Sequence, residues 1–337
     1  MKSRAIKLAL ICTAGGHYEQ MHNLSDFYQE HVRFWITSLT TQTEHAAEAE
    51  SVYFINMAHF KKPWTYLPQF PKVFRIFLKE RPTHIISTGS GRIVFVPYLL
   101  SIPFGIKFIH IDTFSHVRGF TKMAKFLSRT RSPILTQWRS PLKNRAIFIG
   151  PIFKESHFDK PPQGSAAYVF VTAGTRAEPF PRLFHSVECL IKEGLIREPV
   201  IAQVGSTRFV TSLMETFDFR APQVIDDLIL NARYVITQES AGIVTKCLKF
   251  GTKFIVMPRD YAYGELPAKS DMKEDLHLRL EELGFTYVVH DVKGMKSAIT
   301  NINKLNVGFA FDNTLAISTL RSLVGAETAS RKTGSRI

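Results

Sequence analysis

The chain carries one short pattern twice. Residues 6–17 read IKLALICTAGGH and residues 166–176 read AAYVFVTAGTR. Each is an apolar, branched run that ends in Thr-Ala-Gly and leads into an amphipathic helical pattern. A strand without polar alternation must be buried on both faces, as in a parallel sheet covered by helices. Where such a strand stops at a small turn before a helix, the first N–H groups of that helix point over the sheet edge. That edge suits an anion, a phosphate above all. The repetition predicts two α/β domains facing each other across one cleft.

The rest of the chain keeps the same rhythm. Strands are expected at 7–12, 33–37, 52–56, 84–87, 107–111, 134–137 and 146–149, and again at 168–172, 200–203, 234–237, 253–257 and 286–289. Helical patterns or loops separate them, as in a doubly wound parallel sheet. The stretch 151–165 carries Pro151, Pro161 and Pro162 without periodicity and reads as a linker. A final helix is expected within 306–325, chiefly over 313–324, followed by a flexible tail at 326–337. Cys12, Cys189 and Cys247 are isolated, which fits a reducing compartment and neither a disulfide scaffold nor a zinc site. With no signal peptide at residues 1–7 and no apolar run long enough to span a bilayer, a cytoplasmic protein is expected.

Charge is unevenly placed. Residues 1–160 hold 22 Lys/Arg against 10 Asp/Glu, whereas 161–337 hold 21 against 19. Stretch 113–154 has nine basic residues and no acid, so the first half is expected to face a polyanion. Within it, HFKKPWTYLPQFPKVFRIFLK (59–79) interleaves Lys61, Lys62, Lys72, Arg75 and Lys79 with Trp64, Tyr66, Phe70, Phe74 and Phe77. The three phenylalanines share a helical face by spacing. Two readings stand: a helix lying on an anionic bilayer, or a phenylalanine stripe packed on the sheet beneath solvated lysines. Residues 119–131 form a second basic amphipathic candidate. No pattern for nucleic-acid binding accompanies the charge.

Five turns at expected strand ends are candidate sites. Gly15-Gly16-His17 offers a close backbone approach for the donor, and a helix N-terminus there would hold His17 neutral, as a general base requires. Thr88-Gly89-Ser90-Gly91 is a second strand–turn–helix junction. Gly174, Thr175 and Arg176 present N–H, hydroxyl and guanidinium donors. Gly205 and Ser206 follow another strand. Gln238, Glu239, Ser240 and Gly242 open a helix, with Arg259, Tyr263 and Glu265 in the loop after the next strand. In open α/β sheets ligands bind at the carboxyl ends of strands, where all these turns lie. There is no dinucleotide fingerprint, P-loop or nucleophile elbow. Asp226-Asp227 is not a convincing metal pair, and no metal or other cofactor is expected.

Taken together, TAGGH, STGSG, FIHIDTFSHV and FIGPIF resemble the acceptor-side subunit of bacterial PssD-type exopolysaccharide glycosyltransferases. YVFVTAGT, VIAQVGS and VITQESAG…LKFGTKFIVMPR…YGE resemble its donor-side partner, PssE. The pair is related to the two-subunit eukaryotic enzyme that adds the second N-acetylglucosamine to dolichol-diphosphate and, more distantly, to MurG. The resemblance implies a fused chain with a PssD-like acceptor and membrane-associating domain at 1–150 and a PssE-like donor domain at 166–305. The implied fold is GT-B: two Rossmann-like doubly wound parallel-sheet domains.

It further implies an inverting, metal-independent glycosyltransferase, peripheral on the inner face of the cell membrane. Such an enzyme moves a sugar from a UDP-sugar to a lipid-diphosphate-linked acceptor. His17 would be the base, and backbone donors at 174–175 and 240–242 would stabilise the leaving UDP. Gly89, Ser90, Gly91 and Asp112 fall on the acceptor side, Asp112 standing where relatives often have Glu. The chain departs from its relatives at Gln238–Ile243. Lys246 occupies a position where several of them carry a ribose-holding acid, leaving Glu265 as a substitute candidate. Arg176, Arg259, Lys269 and Lys273 crowd the donor side, which favours UDP-glucuronate, with UDP-galactose and UDP-N-acetylglucosamine as alternatives. A UDP-sugar epimerase and a non-catalytic nucleotide-sugar-binding subunit are the competing classes.

Overall fold

A computed structural model of the chain describes residues 5–40, 43, 50–59, 61–154, 168–267 and 275–333, with side chains as far as residue 325. The chain forms two compact units, one comprising Met1–Lys154 and Phe311–Ile337, the other Glu155–Ala310. Most of the expected linker, together with Lys269 and Lys273, lies outside the described residues.

Unit 1 is a seven-stranded parallel sheet of β1 (Lys7–Ile11), β2 (Val32–Thr37), β3 (Val52–Phe54), β4 (His84–Ser87), β5 (Lys107–Ile111), β6 (Ile134–Thr136) and β7 (Ile147–Phe148), ordered β3-β2-β1-β4-β5-β6-β7. Its helices here are α1 (Gly16–His22), α2 (Ser25–Tyr28), α3 (Gln69–Glu80), α4 (Gly91–Ser101) and α5 (Lys122–Leu127). Successive strand residues point to opposite faces, and both faces are apolar. Leu8 and Leu10 cluster with Trp35, Ile86 and the α1–α2 residues Met21 and Phe27. Ala9 and Ile11 cluster on the other face with Phe34, Ile85 and the α3–α4 residues Val73, Phe77 and Val94. The strands read from apolar runs all form.

Unit 2 is a six-stranded sheet of β8 (Val169–Thr172), β9 (Val200–Gln203), β10 (Glu215–Phe217), β11 (Val235–Thr237), β12 (Phe254–Val256) and β13 (Thr286–Val288), ordered β10-β9-β8-β11-β12-β13. Every pairing in it is parallel. Its helices are α6 (Pro181–Lys192), α7 (Pro222–Asn231), α8 (Ala241–Phe250), α9 (Leu276–Glu282) and α10 (Val292–Thr300). Val169, Val171, Ala202 and Ile236 form a core with Leu183, Phe184 and Val187 of α6 and with Met295 and Ala298 of α10. Sequence reading misses β10, because its short segment Glu-Thr-Phe is an edge strand with two exposed residues.

The two sheets share a topological feature that positions ligands. The chain moves outward from β1 to β2, then returns to the other side of β1 with β4. It repeats the manoeuvre with β8, β9 and β11. At such a switch point the loops leave in opposite directions and open a crevice at the strands' carboxyl ends. TAGGH and STGSG flank the crevice in unit 1; TAGTR and TQESAG flank the one in unit 2.

The last helix, α11 (Thr314–Thr333), belongs to unit 1 and runs past residue 325, where the final helix was expected to end. Ala316, Ile317, Leu320 and Val324 pack into the cluster that holds Met21 and Phe27, and Arg321 pairs with Glu30 of the α2 region. Gly325 inside a helix costs only about 1 kcal/mol, and the alanines that follow favour continuation. Residues 334–337 lie outside the described residues.

In α3 the phenylalanine stripe divides. Gln69, Val73, Ile76 and Phe77 are buried, so the buried arc is centred one position away from the stripe. Phe70 is half-buried against the core and Phe74 is 44% exposed. Candidate 119–131 supplies only the short α5, whose Met123, Ala124 and Leu127 face inward.

Candidate active site

Unit 1 brings the TAGGH and STGSG turns into contact. Thr88 Oγ1 donates to the His17 carbonyl at 2.7 Å. A Cβ on Gly89 would lie 3.0 Å from Cys12 Cα and 3.3 Å from Thr13 N, so a glycine there lets the two turns meet. Gly15 adopts φ +83° as the residue before α1, which favours glycine, and both Gly15 and Gly16 are exposed. Ser90 caps α4 by accepting from Arg92 N.

His17 is half-buried, and its Nδ1 is sealed from solvent without a hydrogen-bond partner among the described residues. Burial holds its imidazole below the ordinary histidine range. The Thr88 backbone and the Asp112 charge pull the other way, and His116 adds to the depression. The neutral ring that a general base needs is therefore favoured. The cause differs from the sequence expectation: burial dominates, rather than the end of the short α1.

Asp112, at the carboxyl end of β5, is fully buried. Neither carboxylate oxygen meets a hydrogen-bond donor among the described residues. Its counter-charge is Lys143, 3.4 Å away and equally buried. The Lys143 ammonium donates to His116 O at 2.6 Å and to Thr136 Oγ1 at 3.2 Å. Two buried glutamines bind these turns together. Gln20 Nε2 donates to Gly16 O and Thr113 Oγ1, each at 3.3 Å, and Gln137 Nε2 donates to Gln20 Oε1 at 2.8 Å and Asp112 O at 3.0 Å. No motif pointed to Gln20, Gln137 or Lys143. Their neighbours along the chain are largely polar and their partners lie far away in it, so no local pattern marks them.

In unit 2 the turns after β8, β9 and β11 converge. Gly174 has φ +69°, and a Cβ there would collide with the Gln238 amide. Gly205 has φ +58°, and its Cβ would stand 2.8 Å from Gly174 O. Thr172 Oγ1 accepts from Gly174 N at 3.0 Å and donates to Gln203 Oε1 at 2.7 Å. Beside this cradle, α8 begins after Ser240, whose side chain makes no cap hydrogen bond to its first N–H groups; no other described residue caps them. Thr175 and Ser206 are exposed, while Arg176, Glu239, Ser240 and Gly242 are half-buried.

Several expected roles change. Gly174–Thr175 is not a helix N-terminus: Pro179 and Pro181 delay α6, so this turn offers only its own backbone donors. Arg259 is 2% exposed, and its guanidinium is committed to carbonyls and to Gln238 rather than facing a ligand. Glu265 is likewise buried, clamped by Arg182 through Nε–Oε1 at 2.9 Å and Nη2–Oε2 at 2.7 Å. Sequence reading missed Arg182 altogether, since its partners lie some 80 residues away. Tyr263 is 68% exposed, with Arg182 stacked over its ring. Lys246 pairs with Asp226 of α7.

The sequence matches no protein-family model and no curated protein. Solved structures do resemble it. MurG from Acinetobacter baumannii superposes with a TM-score of 0.61 at 13% identity, covering 89% of this chain and 92% of its own. The UDP-GlcNAc 2-epimerase from Methanocaldococcus jannaschii, in complex with UDP-GlcNAc and UDP, gives a TM-score of 0.62 at 11% identity over 95% of this chain and all of its own. MnaA from S. aureus, in a co-structure with UDP, gives 0.66 at 11% identity, covering 95% and 97%. At these identities the likeness concerns the fold, which is GT-B.

Proposed function

We propose that the protein is an inverting, metal-independent glycosyltransferase moving a sugar from a UDP-sugar to a lipid-diphosphate-linked acceptor, with PssD-like and PssE-like halves in one chain. The observation that carries this reading is the unit 2 switch point, where a glycine cradle adjoins an uncapped helix N-terminus. The diphosphate lies against the Gly174–Arg176 turn and the first turn of α8, where fixed N–H dipoles stabilise the charge that develops on the leaving UDP. His17 takes the proton from the acceptor hydroxyl as that oxygen attacks the anomeric carbon. The new C–O bond forms as the bond to UDP breaks, inverting the centre. UDP-glucuronate as donor rests on Arg176, because Arg259 is engaged within the fold.

Membrane association is read from unit 1. Trp64 is 62% exposed, Leu67 65% and Leu78 51%, beside the exposed Lys61, Lys62, Lys72, Arg75 and Lys79. Bulky apolar side chains within a basic rim suit the headgroup region of an anionic bilayer. Among the described residues, no helix is long and apolar enough to cross a membrane. Co-sedimentation with anionic vesicles should fall with salt and drop about tenfold in a Trp64→Ala/Leu67→Ala double variant. Unchanged binding would return this surface to plain solvation.

The catalytic reading is tested by UDP release. Purified protein is given UDP-glucuronate, UDP-galactose or UDP-N-acetylglucosamine with a short lipid-diphosphate sugar. Acceptor-dependent release is expected, fastest with UDP-glucuronate. Interconversion of UDP-sugars without acceptor would instead indicate an epimerase, the activity named for three of the similar structures. Nucleotide binding without turnover would indicate a binding subunit.

A further inference from the structure

Among the described residues, the most heavily bonded side chain near the unit 2 cradle is one that is almost wholly buried. Arg259 follows β12, and its hydrogen bonds reach the segments after three different strands. Nη2 donates to Ala173 O at 3.1 Å, while Nη1 donates to Glu178 O at 2.8 Å and Pro179 O at 3.2 Å, all in the segment after β8. Nε donates to Gln238 Oε1, after β11. Nη1 also reaches Glu265 O at 3.2 Å, and the Arg259 backbone N–H donates to Glu239 Oε2 at 2.8 Å. Phe180 stacks beneath the guanidinium, 4.7 Å from ring centre to Cζ. Gln238, held at one end by Arg259, rests against Gly174 at the other. A second arginine anchors the same loop from outside: Arg182 donates to Pro258 O and His290 O, each at 2.7 Å, besides gripping Glu265.

We infer that Arg259 is a positioning residue for the nucleotide: it ties the turns after β8, β11 and β12 into one fixed surface, and nucleotide affinity depends on that tie. This rests on the nucleotide-sugar reading above and adds to it a residue that acts through Gln238 and the Ala173–Gly174 backbone. A planar fork with five N–H groups can bond to three segments at once, which a lysine ammonium cannot reproduce. A fixed cradle binds a diphosphate without first having to order its own loops.

The test uses the full chain with Arg259→Lys and Arg259→Met. UDP is titrated calorimetrically, and amide hydrogen exchange is followed in the free protein. Both variants should bind UDP at least tenfold more weakly. Exchange should quicken across 173–180 and 238–240, while β8 and β11 stay protected. In steady state KM for the donor should rise more than kcat falls. Wild-type UDP affinity and loop protection in Arg259→Lys would overturn the inference, as would uniform loss of protection with unchanged affinity in the folded fraction. If neither variant folds, Gln238→Ala removes one arm of the tie and should weaken UDP binding at least threefold; no change would overturn it. A wild-type protein that does not bind UDP would instead bring down the nucleotide reading itself.

Discussion

Replacing His17 with alanine is expected to lower kcat by about 10²- to 10⁴-fold, the range for losing a positioned general base, while UDP affinity stays at the wild-type level. The two readouts separate because His17 belongs to unit 1 and the proposed diphosphate cradle to unit 2. The wild-type pH profile adds a second check. A base works in its neutral form, and burial depresses the His17 pKa below the ordinary histidine value of about 6.5. Activity should therefore be full above about pH 6.5 and decline only as pH falls through the depressed value. A limb displaced to the alkaline side, or near-normal turnover in His17→Ala, would remove this residue from the chemistry.

Gly205→Ala should produce the second large effect, on binding. The new methyl would sit 2.8 Å from the Gly174 carbonyl, a backbone atom that no rotamer change can move aside. The residue would also have to hold φ +58°, which costs a non-glycine residue about 1–2 kcal/mol. Relief requires displacing the β8 turn, which lies between the β9 and β11 turns, from its place beside the α8 N-terminus, so UDP affinity should fall at least tenfold and thermal stability should drop. Gly16→Ala is the control, because a Cβ there has nothing within 4 Å. Its melting temperature should remain close to wild type. Equal UDP affinity in Gly205→Ala and wild type would show that this turn does not contribute to the cradle.

How much of this was legible in the chain depends on the range of the signal. The apolar runs from Lys7 and Val169 announce buried parallel strands, since their alternate residues fill both faces of a sheet. The turns TAGGH, STGSG and QESAG are local as well, and each falls at the carboxyl end of its strand. What local pattern cannot supply is partnership across distance. Arg259 looks like an exposed anion grip until its bonds to Ala173, Glu178 and Gln238 are seen. Nothing local to Glu265 shows that Arg182 holds it. The depression at His17 was anticipated for the wrong reason, because burial arises from turns brought together by the fold rather than from helix α1. In the α3 stripe, helical spacing identified a common face but not its orientation towards the sheet, so Phe77 went in and Phe74 stayed out.

A crystal structure with bound UDP tests most directly whether unit 2 holds a uridine diphosphate between the β8 turn and α8. The diphosphate oxygens are expected within hydrogen-bond distance of the backbone N–H groups in the Gly174–Arg176 turn and at Ala241–Ile243. Arg259 should remain buried behind them with its bonds to Ala173 and Gln238 unchanged. UDP bound at another part of the chain, or turned so that its phosphates avoid both segments, would contradict the assignment.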